Sequence, residues 1–229
     1  GVFRSDDNGL HWVQVNKGLT NIQITSLLYE GLAVLAGTVG GGVFVSFNNG
    51  NSWSEINKGR INLRIRTLFS RGTNVFAGTY NDGVFRSDFT GAVWTKINTG
   101  LAFHTINGVS IVGDTVFAGT YGAGVFRSKD RGTTWSEDTI GMTDKTVLKL
   151  LQHDTTVYAS TYGNKLYRST DAGDSWSQIN LGSYGQAVNS VVRNGTSQFI
   201  ATNYNGIFRS TDDGKNWKNV NSGLPSSNS

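Results

Sequence analysis

Residues 124–135, Gly124-Val-Phe-Arg-Ser-Lys-Asp-Arg-Gly-Thr-Thr-Trp135, form a segment that the chain of 229 residues contains in six versions. The other versions begin at residues 1, 42, 83, 165 and 206, so successive copies start 41 residues apart. All six tryptophans of the protein close these copies: Trp12, Trp53, Trp94, Trp135, Trp176 and Trp217. A constant period between about 20 and 50 residues indicates a repeat architecture.

Each repeat contains four short runs with the composition of β-strands. In residues 62–102, Ile65 and Leu68 mark the first run, and residues 74–79, 83–87 and 94–97 form the others. The runs are rich in β-branched and aromatic residues and are bounded by Gly, Asn or Asp. No stretch has the periodicity of a helix. Four strands in about 40–45 residues is the size of one β-propeller blade.

We therefore predict one all-β domain over residues 1–229, a β-propeller of four-stranded antiparallel blades with 41-residue repeats. The complete blades are 21–61, 62–102, 103–143, 144–184 and 185–224. Residues 1–20 supply an outer half-blade, and residues 225–229 form a tail. We interpret this as a six-blade array that is incomplete or is completed in trans. A closed ring of five blades with a spare outer pair is the alternative.

The composition excludes several classes of protein. Thirty glycines and a single proline, Pro225, suit short strands joined by tight turns. There are no cysteines, which excludes disulfides and thiolate metal sites. No apolar run approaches the roughly 18–20 residues of a membrane span. The net charge of +4 comes from dispersed basic residues, so we expect no nucleic-acid partner, and we expect no cofactor.

Each copy contains a shorter motif, Ser-x-Asp-x-Gly-x-x-Trp, which we call the box turn. It is complete where the acid is Asp7, Asp130, Asp171 or Asp212, whereas Asn48 and Phe89 replace the acid in the other two copies. The motif resembles the Asp-box, or BNR repeat, of sialidase-like and sortilin-like β-propellers, in which it forms the turn between the third and fourth strands. The resemblance covers essentially the whole chain.

Residue chemistry predicts a structural role for the box turn. An Asp can accept backbone N–H bonds within its own turn, Gly supplies a positive φ, and Trp buries a large ring. Asn48 preserves the acceptor whereas Phe89 does not, so we expect the third box turn to be the least well bonded. One carboxylate per turn falls short of the six to eight oxygens, roughly, that calcium takes, so we expect no metal.

The resemblance also raises sialidase activity, and here the sequence departs from the family. Sialidases hold the substrate carboxylate with three arginines and use a Tyr nucleophile, a Glu partner and an Asp acid/base, and none of these recurs from blade to blade. The chain instead has an arginine beside the box Ser in five copies, which we interpret as pairing between blades: Arg4, Arg86, Arg127, Arg168 and Arg209, with Val45 in the sixth. We expect a noncatalytic protein.

A binding surface is predicted on the loop face opposite the box turns, where the loops between second and third strands meet the loops between repeats. These loops carry four tyrosines at matching places: Tyr80, Tyr121, Tyr162 and Tyr204, with Val39 in the fifth. Small polar residues surround them, including Asn81, Asn164 and Asn205. Tyr with Asn and Gly suits stacking on sugars or gripping peptides. Alternatively, each Tyr packs on the next blade and caps the core.

One blade carries charge that the others lack. The sequence concentrates Arg60, Arg64, Arg66 and Arg71 around one first strand, and the residues that match Arg66 elsewhere are Thr25, Asn107, Leu148 and Asn189. Such a cluster on the innermost strand either holds an anion or is a solvated or internally paired group.

These observations predict a noncatalytic extracellular or cell-surface propeller that binds protein or glycan through the tyrosine-bearing face. The location is implied by the resemblance alone. Two alternatives stay open: a glycoside hydrolase or sialidase relative, and an amplified or engineered repeat protein with no ligand. Near-identical blades also favour strand exchange between chains, so a homo-oligomer is a further expectation.

Overall fold

The computed structural model describes residues 1–59, 62–91, 93–180, 188–203 and 205–224. Within these ranges the chain forms β-strands and turns and contains no helix. Arg60, Tyr204 and the tail 225–229, on which parts of the sequence predictions fall, lie outside the described residues.

The strands follow the predicted repeats. Residues 1–20 contain β1 (Phe3–Arg4) and β2 (Val13–Gln14). The first complete blade contains β3 (Ile24–Glu30), β4 (Ala33–Thr38), β5 (Val43–Ser46) and β6 (Ser54–Glu55), and the second contains β7 (Ile65–Arg71), β8 (Asn74–Thr79), β9 (Val84–Asp88) and β10 (Thr95–Lys96). The third contains β11 (Ile106–Val112), β12 (Thr115–Thr120), β13 (Val125–Ser128) and β14 (Ser136–Glu137). The last two contain β15 (Val147–His153), β16 (Thr156–Thr161), β17 (Leu166–Ser169) and β18 (Ser177–Ile179), then β19 (Val188–Asn194), β20 (Ser197–Thr202), β21 (Ile207–Ser210) and β22 (Lys218–Asn219).

Each blade is an antiparallel meander whose strands lie side by side in chain order. The described residues form five four-stranded sheets and one two-stranded sheet. The hairpins between first and second strands turn through residues with positive φ, which Gly adopts without a Cβ penalty. Gly31 (φ 60°) and Gly72 (φ 58°) occupy such tips. The predicted all-β propeller of four-stranded blades is confirmed.

The chain divides into two compact units, residues 1–99 with 104–109 and residues 100–103 with 110–229. In the first unit a buried apolar cluster includes Leu35, Ile65 and Phe85. In the second unit, Phe117 and Val147 belong to one such cluster. Most residues of both clusters lie on strands, and each cluster also includes a box-turn Trp, Trp94 in the first and Trp176 in the second. The assignment of one domain to the whole chain stays a prediction.

Within each unit, the Trp of one box turn docks on the loop that ends the preceding repeat. The Trp53 backbone N–H donates to the Lys17 carbonyl (2.8 Å), and its indole N–H donates to the Val15 carbonyl (2.8 Å). Gly18 has a φ of +93°, and a Cβ there would overlap the Trp53 carbonyl oxygen. We call this contact the Gly–Trp latch. It explains the recurrence of Gly after those fourth strands whose glycine meets a Trp in the described residues, whereas Gly223 has no such neighbour.

The latch recurs between Gly59 and Trp94 in the first unit, and in two further pairs in the second: Gly100 with Trp135, and Gly141 with Trp176. The Trp94 indole N–H donates to the Ile56 carbonyl at 2.6 Å. Trp12 and Trp217 differ, because their indole N–H groups bond to the carbonyl of their own box glycine at 3.1 Å. Trp12 is accordingly 62% exposed.

Candidate functional site

The complete box turns are held by one repeated set of hydrogen bonds. In the fourth copy, the Ser128 hydroxyl donates to Asp130 Oδ1 (2.7 Å) and accepts the Gly132 N–H (2.7 Å). Asp130 Oδ1 also accepts the Thr134 N–H (2.8 Å). The turns at Asp7, Asp171 and Asp212 repeat these bonds. The carboxylate therefore closes its own turn.

These bonds favour the ionised form of the box carboxylates. The Ser128 hydroxyl contributes most to lowering the pKa of Asp130 to about 2. The Ser175 hydroxyl does the same for Asp171, whose pKa is also about 2. Such carboxylates carry no proton near neutral pH and have no proton to donate to a substrate.

Asn48 substitutes for the acid with little change, whereas the copy with Phe89 uses a different set of contacts. Asn48 Oδ1 accepts the backbone N–H of residue 52 (2.9 Å). In the third copy, Asp88 Oδ1 accepts the Thr90 N–H (3.0 Å) and hydroxyl (2.6 Å) instead. Phe89 packs against a buried cluster that includes Val45. Val45 and Phe89 thus put apolar side chains at positions that hold an arginine and an acid in the complete box copies.

The repeated arginines reach the box turn of the following blade. The Arg4 guanidinium donates to the Asn49 carbonyl (2.8 Å), and that of Arg127 to the Ala172 carbonyl (2.7 Å). The Arg168 guanidinium donates likewise to the carbonyl of Asp213, in the box turn of the next repeat. Asn49 (φ 56°) and Ala172 (φ 55°) lie in the left-handed region. For these three arginines the predicted pairing between blades is confirmed.

Asp138 is an acid that sequence reasoning missed. It stands where the other copies have Val15, Ile56, Ile97, Ile179 and Val220, and it is 4% exposed. Burial raises its pKa to about 6, although Arg127 Nε lies 3.0 Å from its Oδ2 as an ion pair without hydrogen-bond geometry. The sequence signal is an acid in an otherwise aliphatic column. Its burial beneath a box turn denies it to a ligand.

The tyrosine-bearing loops that follow β8, β12 and β16, and the matching loop after β4 that carries Val39, are tied to the segment that leads into the same blade. In the first unit, Asn62 Oδ1 accepts the Arg64 N–H (2.8 Å), and the Arg64 carbonyl accepts the Tyr80 N–H (3.0 Å). Asn21 forms the same turn with the backbone N–H of residue 23 (2.9 Å). The backbone beneath these side chains is therefore fixed before any ligand arrives.

Tyr80 sits among two arginines and a polar pair. Its side chain is 39% exposed, with the guanidinium carbon of Arg64 at 5.6 Å and that of Arg66 at 5.8 Å from the ring centroid. Asn81, at a φ of 65°, accepts a hydrogen bond from the Thr105 hydroxyl. The structure thus brings together Tyr80 and Asn81 of the predicted surface with two members of the arginine cluster.

In the second unit, Tyr121 and Tyr162 flank one residue. Thr146 forms a β-bridge with Tyr121, and its carbonyl accepts the Tyr162 N–H (2.9 Å). The rings are 54% and 69% exposed, so they do not cap the core. Asp144 pins the loop by accepting the Gly163 N–H (2.6 Å). Burial raises the pKa of Asp144, but N–H groups of Thr146 and Gly163 bonded to it leave that pKa below its usual value.

The remaining predicted residues serve the backbone. Asn164 has a φ of 60° and donates its N–H to the Thr161 carbonyl (3.1 Å). The Asn205 carbonyl accepts the Asn221 side-chain amide (2.7 Å). Asn62 and Asp144 were missed by the sequence argument, although their 82-residue separation, two repeats, was visible. Among the described residues, no three His, Asp or Glu side chains gather into a group that could hold a metal ion.

Three solved structures resemble the chain in fold. The extracellular domain of BT4673 from B. thetaiotaomicron is 17% identical with a TM-score of 0.77, covering 96% of this chain and 30% of that one. An ancestral GH74 enzyme is 19% identical with a TM-score of 0.73, covering 93% and 33%. YCF48 bound to D1 peptide is 16% identical with a TM-score of 0.73, covering 94% and 74%. The chain spans about a third of the first two.

No curated protein sequence is recognisably similar to this chain. A family model does match it: the DUF6242 beta propeller domain matches residues 111–229, more than half of the sequence. That match agrees with the four-stranded sheets and with the propeller neighbours. The chain belongs to the DUF6242 beta propeller family.

Proposed function

We propose that this chain is a noncatalytic, Asp-box type binding propeller that recognises a glycan or protein ligand through its tyrosine-bearing loops. The observation that carries the proposal is the exposure of Tyr80, Tyr121 and Tyr162 on loops whose backbones are pinned by hydrogen bonds. An aromatic ring presented on a fixed backbone binds without much ordering of the protein, which is the usual route to useful affinity.

The distribution of acids supports a noncatalytic role. Glycoside hydrolysis needs two carboxyl groups about 5–10 Å apart, one of them with a raised pKa. Of the acids beside the tyrosine-bearing loops, Asp82 pairs with Lys96 and Asp144 accepts two backbone N–H bonds. The carboxyl group with a raised pKa, Asp138, is buried beneath a box turn.

Two of the similar structures support the ligand classes and the location. One was solved with a peptide bound, and another is an extracellular domain. A GH74 enzyme of the same fold keeps the hydrolase alternative in view. Among the described residues no helix is long and apolar enough to cross a membrane. We place the protein outside the cell or at its surface.

A glycan array followed by calorimetry on the best ligand tests the proposal, using Tyr121→Ala and Tyr162→Ala. Each substitution should weaken binding at least about fivefold, which corresponds to about 1 kcal/mol. Tyr29→Ala is the matched control, because Tyr29 is 66% exposed and lies near the end of β3, outside every tyrosine-bearing loop. It should bind as the parent does.

Two outcomes contradict parts of the proposal, and a third chooses between its two ligand classes. Equal losses in all three variants would mean that the tyrosine-bearing loops are not the site. Binding to displayed peptides with none to glycans would select the protein ligand. Release of reducing sugar from a bound oligosaccharide would establish the hydrolase alternative and end the noncatalytic proposal.

A further inference from the structure

Arg66 occupies an irregularity at the start of the innermost strand of its blade. Ile65 pairs with Thr79 and Thr67 with Gly78, so Arg66 is the extra residue of a β-bulge. The same shift leaves Thr25 as the extra residue between β3 and β4. The same shift occurs between β15 and β16 and between β19 and β20, so the bulge belongs to the repeat and re-aims whichever side chain stands there.

The bulge and the neighbouring loop bring two guanidinium groups to one ring. The guanidinium carbons of Arg64 and Arg66 lie 5.6 and 5.8 Å from the Tyr80 centroid, hence within about 11 Å of each other. Attraction to the ring face holds each cation there, while the two like charges repel. Among the ion pairs that the structure describes, none includes either arginine.

The arrangement is peculiar to one blade. The blade before it has Gln23 and Thr25 at the two arginine positions, with Val39 in place of Tyr80. The Thr25 hydroxyl there is spent on backbone carbonyls, at 3.1 Å to Gly37 and 2.8 Å to Ile65. Latch and box-turn contacts account for the features that repeat, but they give no reason for two unpaired cations beside an exposed aromatic ring.

We propose that Arg64, Arg66 and Tyr80 bind an oxyanion group, a carboxylate or a sulfate ester, carried by an acidic polysaccharide. A guanidinium fork matches either oxyanion through paired N–H donors, and an anion between the two cations relieves their repulsion. Asn81, which follows Tyr80 in the chain, and Thr105, which donates to Asn81, offer polar groups for sugar hydroxyls. The proposal rests on the proposed function and adds that the ligand is anionic.

The experiment is calorimetry on the whole chain with three oligosaccharides of equal length: a polyuronate, a sulfated dextran and neutral dextran. The test variant combines Arg64→Gln with Arg66→Thr, residues that the preceding blade carries at the same positions. The matched control is Arg71→Asn, which removes a positive charge from the other end of β7 and introduces the residue found at 194. Thermal unfolding midpoints confirm that all variants are folded.

The parent protein should bind one of the acidic oligosaccharides at least about tenfold more tightly than neutral dextran, and the acid that binds identifies the oxyanion. The double variant should lose that preference, while Arg71→Asn keeps it within about twofold. An equal loss in Arg71→Asn, or an unchanged preference in the double variant, would overturn the proposal. Absence of binding to either acidic oligosaccharide would overturn it as well.

The result also separates this inference from the proposed function. Binding of neutral and acidic oligosaccharides with equal affinity, sensitive to Tyr121→Ala, would leave the tyrosine-bearing loops as the site and reject the oxyanion group. Acid-selective binding that depends on Arg66 but not on Tyr121 or Tyr162 would support the oxyanion site and reject Tyr121 and Tyr162 as binding residues.

Discussion

Replacing Asp138 with Asn should remove a pH-dependent loss of stability from the protein. Burial raises the pKa of this carboxyl group from an ordinary 3.8 to about 6, and the nearby guanidinium of Arg127 offsets only part of that effect. The folded protein therefore binds this proton more tightly than the unfolded chain does. Asp138 contributes stability that is fully present below about pH 4 and is lost as the pH rises through about 6.

The size of the effect follows from the two pKa values. Each pKa unit between the folded and unfolded states is worth about 1.4 kcal/mol, so the full difference corresponds to about 3 kcal/mol. Between pH 4 and pH 7.5 about 2–3 kcal/mol of it should appear, because the unfolded carboxyl group is already half ionised near pH 4. Asn has no proton to lose, so the variant lacks this dependence.

Urea unfolding of the parent and of Asp138→Asn at several pH values from 4 to 7.5 measures the effect. The free energy of unfolding of the variant minus that of the parent should rise by about 2–3 kcal/mol over this range. Other carboxyl groups are common to both proteins and largely cancel in the difference. Asp138→Ile, the residue of neighbouring blades, should abolish the same dependence. A difference that stays constant within about 0.5 kcal/mol would refute the reasoning.

Two further predictions concern the Gly–Trp latch. Gly113→Ala should cost only about 1–2 kcal/mol, for a left-handed backbone in open space, whereas Gly141→Ala should cost about 1–3 kcal/mol more, since its Cβ meets the backbone of the next blade. Equal costs in urea unfolding would count against the latch. Trp94→Phe should cost about 1–3 kcal/mol, because it leaves the buried carbonyl of Ile56 without its donor, while the exposed Trp12→Phe should change stability by less than about 0.5 kcal/mol. Similar losses in both would show that the indole bond is not what matters.

The sequence predicts the fold well because the same local pattern occurs six times in the chain. Strands, hairpin tips and the position of the box turn follow from glycine, aromatic and β-branched residues at a fixed period, and the structure confirms them. The repeat period does not predict which residue each repeated side chain contacts. Trp53 anchors to the preceding repeat and Arg4 to the following one, and both directions depend on how sheets stack.

The candidate site was only partly predictable for the same reason. Exposed tyrosines at matching places could be foreseen, since the loops that carry them are read directly from the strand pattern. The approach of Arg66 to Tyr80 depends on a bulge, which is a register shift between two strands that composition does not encode. For Asp138, the sequence shows an acid at a position that is aliphatic in the other copies, but it does not show how deeply the side chain is buried.

The latches have a consequence for how such a chain can change its length. Each one joins a glycine of one repeat to a tryptophan 35 residues later, so duplicating or deleting 41 residues leaves the same partners facing each other. Unequal recombination between repeats therefore preserves the Gly–Trp latches. One contact outside the latches does not repeat: Phe89 packs against the buried cluster that includes Val45, at a position where the other copies carry an arginine. A rearrangement that replaced Val45 by one of those arginines would bring a cation to an apolar cluster, so this contact limits which repeats can be neighbours.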